Sequence, residues 1–151
     1  MKVTKEIRFY NILFPIWFLL FIPLAWIVVL PANYIVDSLV ILLMMKIIGV
    51  ESKRKMYKQS ILKVWGFGFL SDIIGAAFLF LTMWVLELST SNDDPSLTIP
   101  AILIAAIFIF IFNYKISFKG YDKSVRFKMA LGLSILTAPY TFLIPLSWIY
   151  G

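Results

Sequence analysis

Two aspartates carry whatever chemistry this sequence holds. Asp37 and Asp72 each lie inside a long apolar stretch, and Asp72 falls near the middle of Trp65 to Trp84, WGFGFLSDIIGAAFLFLTMW. An ionised carboxylate at the centre of a bilayer costs roughly 2.5–3.5 kcal/mol on insertion scales, so an acid retained there is seldom idle. Asp37 stands nine residues before Lys46, and Asp72 nine residues after Lys63. At about 1.5 Å per helical residue that gap is about 13 Å, beyond a lysine stem, which snorkels outward instead. The same rise puts both acids at comparable depth on two helices joined by a short basic loop. Carboxylates with no fixed cation must hold a proton, find hydroxyl or amide donors, meet water or take a transient cation. Asn33, Ser38 and Ser71 are the nearby donors, and Ser134, Thr137 and Thr141 make a polar stripe on the last apolar segment. Two readings follow. One is a proton or cation station lined by Asp37, Asp72, Asn33, Ser38 and Ser71. The other is a buried acid that locks two helices together.

Much other chemistry is excluded. The chain has no cysteine and no histidine, which removes disulfides, thiol chemistry, Cys/His metal sites and histidine acid–base catalysis. No phosphate loop, nucleotide fingerprint or nucleic-acid motif is present, so no cofactor, no metal, no catalytic residue and no nucleic acid is expected. Intramembrane aspartyl proteases use Gly-x-Gly-Asp. Here Gly66-Phe67-Gly68 is followed by Phe69, and Asp72 comes a turn later. The expectation is a protein that is not an enzyme.

The elements that position the acids are apolar helices. Of 151 residues 62% are hydrophobic and 15% charged, with a mean hydropathy of +0.93, and a soluble domain of this length would carry far more charge. About 20 residues cross a hydrocarbon core of about 30 Å. On that measure the sequence predicts a single all-α membrane domain over 1–151, a bundle of five transmembrane helices near 10–30, 34–50, 61–88, 99–114 and 129–150. A tight turn is expected at Leu30-Pro31-Ala32-Asn33, a bend at Pro23, and polar loops at 51–60, 89–98 and 115–128. Lys and Arg cluster in the N-terminal tail (Lys2, Lys5, Arg8), in residues 46–63 (six) and in residues 115–128 (five). With five spans all of them fall on one side, which predicts N-terminus in, C-terminus out, in a plasma (inner) membrane.

Partners are read from the faces. Gly68, Ser71, Asp72, Gly75, Ala76 and Thr82 share one small or polar stripe, while Phe67, Leu70, Ile74, Phe78, Leu81 and Val85 face the other way. Gly68, Gly75 and Ala76 suit close helix packing, and Ala101 and Ala105 offer a second small-residue face for self-association or a partner membrane protein. Lys53, Arg54, Lys55 and Lys58 suit anionic lipid headgroups on the inner face. The expected function is a small channel or transporter component moving protons or a cation past Asp37 and Asp72. The alternative is a non-catalytic accessory subunit of a larger membrane complex. One echo remains: Ile22-Pro23-Leu24-Ala25-Trp26-Ile27 and Ile144-Pro145-Leu146-Ser147-Trp148-Ile149 differ at one place.

Overall fold

The structure is a computed structural model that describes residues 16–88, 94–144 and 148. The described residues form helices joined by short turns, with no strand among them, and four α-helices form the frame: α1 Trp26–Ile48, α2 Lys53–Leu79, α3 Pro95–Phe112 and α4 Lys123–Leu136. Short 3-10 segments Ile16–Phe21 and Pro23–Ala25 lead into α1, and Tyr140–Leu143 follows α4. π-helical turns extend α2 over Phe80–Val85 and α3 over Asn113–Ser117. Helices in contact are α1 with α2, α2 with α3, α3 with α4 and α4 with α1, so the four alternate in direction around a closed ring. Three segments, Pro23–Ile48, Lys53–Val85 and Pro95–Ser117, are each long and apolar enough to cross a membrane.

Several expected boundaries move. The turn at 30–33 is not formed, because α1 runs through Pro31. Proline withholds one amide, the one the Ile27 carbonyl would receive, and the rest of the ladder continues. Trp65 on α2 pins this stretch by donating its indole N–H to the Leu30 carbonyl at 2.9 Å. The separate spans expected at 10–30 and 34–50 are therefore not there in that form. Lys2, Lys5 and Arg8 lie outside the described residues, and counting crossings no longer places them beside the other basic residues. The expectation of N-terminus in, which rested on that turn, loses its support. The basic residues of 46–63 and 115–128 do share one end of the ring. Much of 51–60 is the first turns of α2 rather than a loop, and Lys123, Arg126 and Lys128 ride on α4. At the opposite end Asp94 caps α3, accepting from the Ser96 amide at 2.9 Å with Pro95 in the first turn. That helix thus starts ahead of the expected 99, and Pro100 is an interior residue.

Proline breaks two helices, and each time a side chain fills in for the missing amide. Pro23 has no N–H for the carbonyls behind it, and the Trp26 indole donates to the Leu20 carbonyl at 2.9 Å. Pro139 has none for the Ile135 carbonyl, and the Tyr140 hydroxyl donates there instead. The helix expected over 129–150 accordingly stops at Leu136. Of the second copy of the Ile-Pro-Leu echo, residues 145–147 and 149 lie outside the described residues. Trp26→Phe keeps the ring and removes the donor, leaving the Leu20 carbonyl unmatched. We expect a loss of about 1–3 kcal/mol in stability, seen as a lower melting point by circular dichroism in detergent.

The apolar interior falls into two clusters. Near the Asp94 end, Trp17, Leu20, Ala76, Leu79, Met83, Ala101 and Phe142 pack together. Near the basic end, Ile41, Met45, Met56, Val64, Ile109, Phe118, Met129 and Leu133 do so. Between them α1 contributes Asp37, α2 contributes Gly68 and Asp72, and α4 ends at Thr137. The polar layer sits where the two clusters part.

Candidate functional site

Asp37 and Asp72 line one cavity. It has a volume of about 30 Å³ and is walled by Asn33, Val36, Asp37, Gly68, Asp72 and Thr137. That is room for a single water or a bare ion. Asp37 is buried at 4% exposure, and Asp72 is half-buried with Oδ1 fully enclosed. Oδ1 of Asp72 has no hydrogen-bond partner. Among the described residues no lysine or arginine lines the cavity. Gly68 makes the arrangement possible: a Cβ there would lie 3.3 Å from Oδ2 of Asp37. The glycine that reads as a packing residue in the sequence is the surface on which the carboxylate rests.

The neighbouring hydroxyls turn away from the acids or present only lone pairs. Ser71 donates to the Phe67 carbonyl at 2.7 Å, as helix hydroxyls in apolar surroundings do. Ser38 pairs with the Tyr57 hydroxyl at 2.9 Å. Neither lines the cavity, so both leave the expected constellation. Asn33 stays in it. Thr137 joins from α4, and because its hydroxyl donates to the Leu133 carbonyl at 2.7 Å it offers the cavity an acceptor. Ser134 donates to Leu131, and Thr141 lies further along, beside a larger cavity. Apart from the Asn33 amide, every polar group on the wall is an acceptor. Such a wall suits a proton or a cation and repels an anion.

The larger cavity adjoins the small one. Its volume is about 400 Å³, and it shares Asn33, Val36, Asp72 and Thr137 with the carboxylate cavity. The 3-10 segment before α1 contributes Leu19 and Leu20, and the break after α4 contributes Ala138 and Pro139. Irregular backbone at this depth is tolerated where it borders a cavity, since its unmatched groups need partners other than lipid. The sequence marked the bend at Pro23 but not that it and the break at Pro139 would flank the same space.

The remaining candidate residues serve the frame. Gly75 meets α3 so closely that a Cβ would lie 2.9 Å from the Ala101 carbonyl oxygen and 3.2 Å from the Ala105 Cβ. Ala76, Ala101 and Ala105 are fully buried. The small-residue face expected to meet a second chain is thus used up between α2 and α3 of the same chain. Lys53, Arg54, Lys55 and Lys58 are exposed and border an open recess with Glu51, Ser52 and Gln59. At the same end Arg126 donates to the Tyr114 carbonyl at 2.7 and 3.0 Å and lies 4.5 Å over the Tyr114 ring, closing the end of α3. Asn113 donates to the Ile109 carbonyl at 2.8 Å within its own helix.

No protein-family model, curated protein or solved structure matches the chain. The site therefore stands on its own geometry: an all-helical ring holding two carboxylates at an acceptor-lined cavity between two apolar clusters.

Gly68→Ala tests how closely that cavity is built. The added methyl at 3.3 Å is tighter than ordinary contact, so Asp37 must shift by a few tenths of an ångström. We expect a melting point lowered by about 1 kcal/mol or less in free energy, with any cation or proton movement through the site falling several-fold on the scale of about 1 kcal/mol.

Proposed function

We propose that the protein is a multi-pass protein of the plasma (inner) membrane and a small channel or transporter component that moves protons or a monovalent cation past Asp37 and Asp72. One observation carries the reading. Two buried or half-buried carboxylates share an acceptor-lined cavity that no basic side chain among the described residues enters. The counter-charge must come from a mobile proton or cation.

The frame supports placement in a bilayer. Three segments are long and apolar enough to cross, and Ile27, Leu39, Ile47, Leu62 and Leu103 are exposed on their outer faces. α4 continued by residues 137–144 makes a broken fourth crossing that starts at the basic end. That end lies on the cytoplasmic side by the charge rule, with Lys53, Arg54, Lys55 and Lys58 facing anionic headgroups. The cavity is enclosed by helices of a single chain, so the station needs no second copy to be complete. The alternative of an accessory subunit docking through Gly68, Gly75 and Ala76 is not favoured, since Gly68 faces Asp37 of α1, Gly75 meets α3 and Ala76 is fully buried.

The test is transport. Purified protein in liposomes, driven by a potassium diffusion potential, is expected to take up protons or sodium above the protein-free rate, read by an internal pH- or sodium-sensitive dye. Rates equal to protein-free liposomes for protons, sodium and potassium alike would overturn the reading.

A further inference from the structure

We infer that the larger cavity binds a lipophilic organic cation, an amine or quaternary ammonium group on an apolar body, with Asp72 as its counter-ion. The inference deepens the proposed function and rests on its reading of the carboxylates as a cation site.

Size separates this cavity from the carboxylate pocket beside it. About 400 Å³ lies within the range of small-molecule sites, whereas about 30 Å³ holds no more than a water or a bare ion. Chemistry then narrows the occupant. Apolar residues, among them Leu19, Leu20, Val28, Val29, Leu136 and Phe142, make most of the wall, so the body of the ligand is apolar. Three of the polar groups, Asp72, Asn33 and Thr137, gather where the two cavities meet. Tyr140 also borders the cavity, but its hydroxyl is engaged by the Ile135 carbonyl. Among the described residues no cationic side chain lines the space, and Asp72 brings the one carboxylate to it. The C-terminal end of α4, the negative end of its dipole, borders the cavity as well through Leu136 and Thr137. The fixed charge on this wall, Asp72, and the end of α4 beside it both favour a positive guest.

The mouth suits the same guest. Val28 and Val36 on the rim are 73% and 46% exposed, and Ala32 and Thr141 beside them are exposed too. The cavity therefore opens sideways, through the apolar flank of the ring, rather than at its basic end. A lipophilic cation partitioned into a bilayer reaches such a mouth, while a hydrated metal ion does not. Because both cavities share Asp72, an organic cation in the larger one and a proton or small cation in the smaller one contend for the same carboxylate.

Benzyltrimethylammonium and neopentylbenzene have nearly the same shape and differ in charge, which makes them the probes. Equilibrium dialysis against the protein in phosphatidylcholine nanodiscs, with empty discs subtracted, is expected to show saturable binding of one benzyltrimethylammonium per chain. Asp72→Asn should weaken it about 100-fold, the scale of losing one member of a buried charge pair. Ala32→Trp, which blocks the mouth and leaves the carboxylate in place, should weaken it by about tenfold or more, or about 1.4 kcal/mol. Neopentylbenzene should show no saturable binding and no dependence on Asp72. Absence of saturable cation binding, binding that survives Asp72→Asn, or equal binding of the neutral probe would overturn the inference. The equal-binding result would mark the space as a seat for a lipid chain. The liposome flux assay uses no organic cation, so the two ideas fail separately. Flux without probe binding removes this inference alone, and probe binding without flux removes the transport reading.

Discussion

We expect Asp72→Asn to abolish the proposed flux and to leave the protein at least as stable as before. The substitution keeps the shape of the side chain, but the amide cannot ionise and brings an N–H₂ donor into a cavity lined by acceptors. A proton has nowhere to reside and a cation meets no charge, so the rate in liposomes should fall by about tenfold or more, toward the protein-free level. Stability moves the other way. Oδ1 of Asp72 is enclosed with no partner, and replacing an unmatched buried acid by a neutral amide should relieve about 1 kcal/mol or more. A melting curve in detergent reads this directly. The opposing view, that the acids exist to lock α1 to α2, predicts a different pair of results. Losing a structural hydrogen bond would lower stability by about 1–3 kcal/mol, and no flux would be present to lose. Asp37→Asn should follow Asp72→Asn in both measurements, because the two side chains line the same cavity.

The meeting of the acids was legible because depth is arithmetic. Equal spacing from Lys46 and Lys63 on helices joined by a short connection put Asp37 and Asp72 level, and the ring brings them to one cavity. The hydroxyls were not legible. Ser71 is next to Asp72 in sequence, yet a helix always offers it a carbonyl four residues back, and it takes that bond. The expected boundary between the first two helices failed on one dipeptide. Leu30-Pro31 reads as a turn because proline commonly ends helices, and Tyr10 to Val50 has enough apolar length for two crossings. The deciding facts are tertiary: Trp65 tied to the Leu30 carbonyl, and Trp17 and Phe18 packed on Trp84. Neither can be seen from hydropathy. Pro139 shows the converse. It lies inside the helix expected over 129–150, and α4 ends at Leu136, because the proline ring removes the amide the Ile135 carbonyl would receive and the Tyr140 hydroxyl donates there instead.

Gly75→Leu should be the most damaging single change in the chain. A Cβ alone would stand 2.9 Å from the Ala101 carbonyl oxygen, a distance side-chain carbons do not adopt, and 3.3 Å from the Phe142 ring. The obstacle at 2.9 Å is backbone, so it cannot swing aside as a flexible side chain would. Leucine adds three further carbons, and α2 and α3 must separate along a contact where Ala101 and Ala105 are now fully buried. Overpacking of a tight core costs about 1–3 kcal/mol where neighbours can adjust, and rigid backbone places this case at or above the upper end. The purified protein should melt at a clearly lower temperature or fail to accumulate folded. Gly66→Leu is the matched control, because Gly66 is exposed on the same helix with nothing within 4 Å of its Cβ position. It adds the same side chain to α2 and should leave the melting point nearly unchanged. If α2 instead met a separate protein through this face, Gly75→Leu would spare the isolated chain and disrupt only the complex. Equal stability of the two variants would therefore show that the α2–α3 contact is not what holds the ring closed.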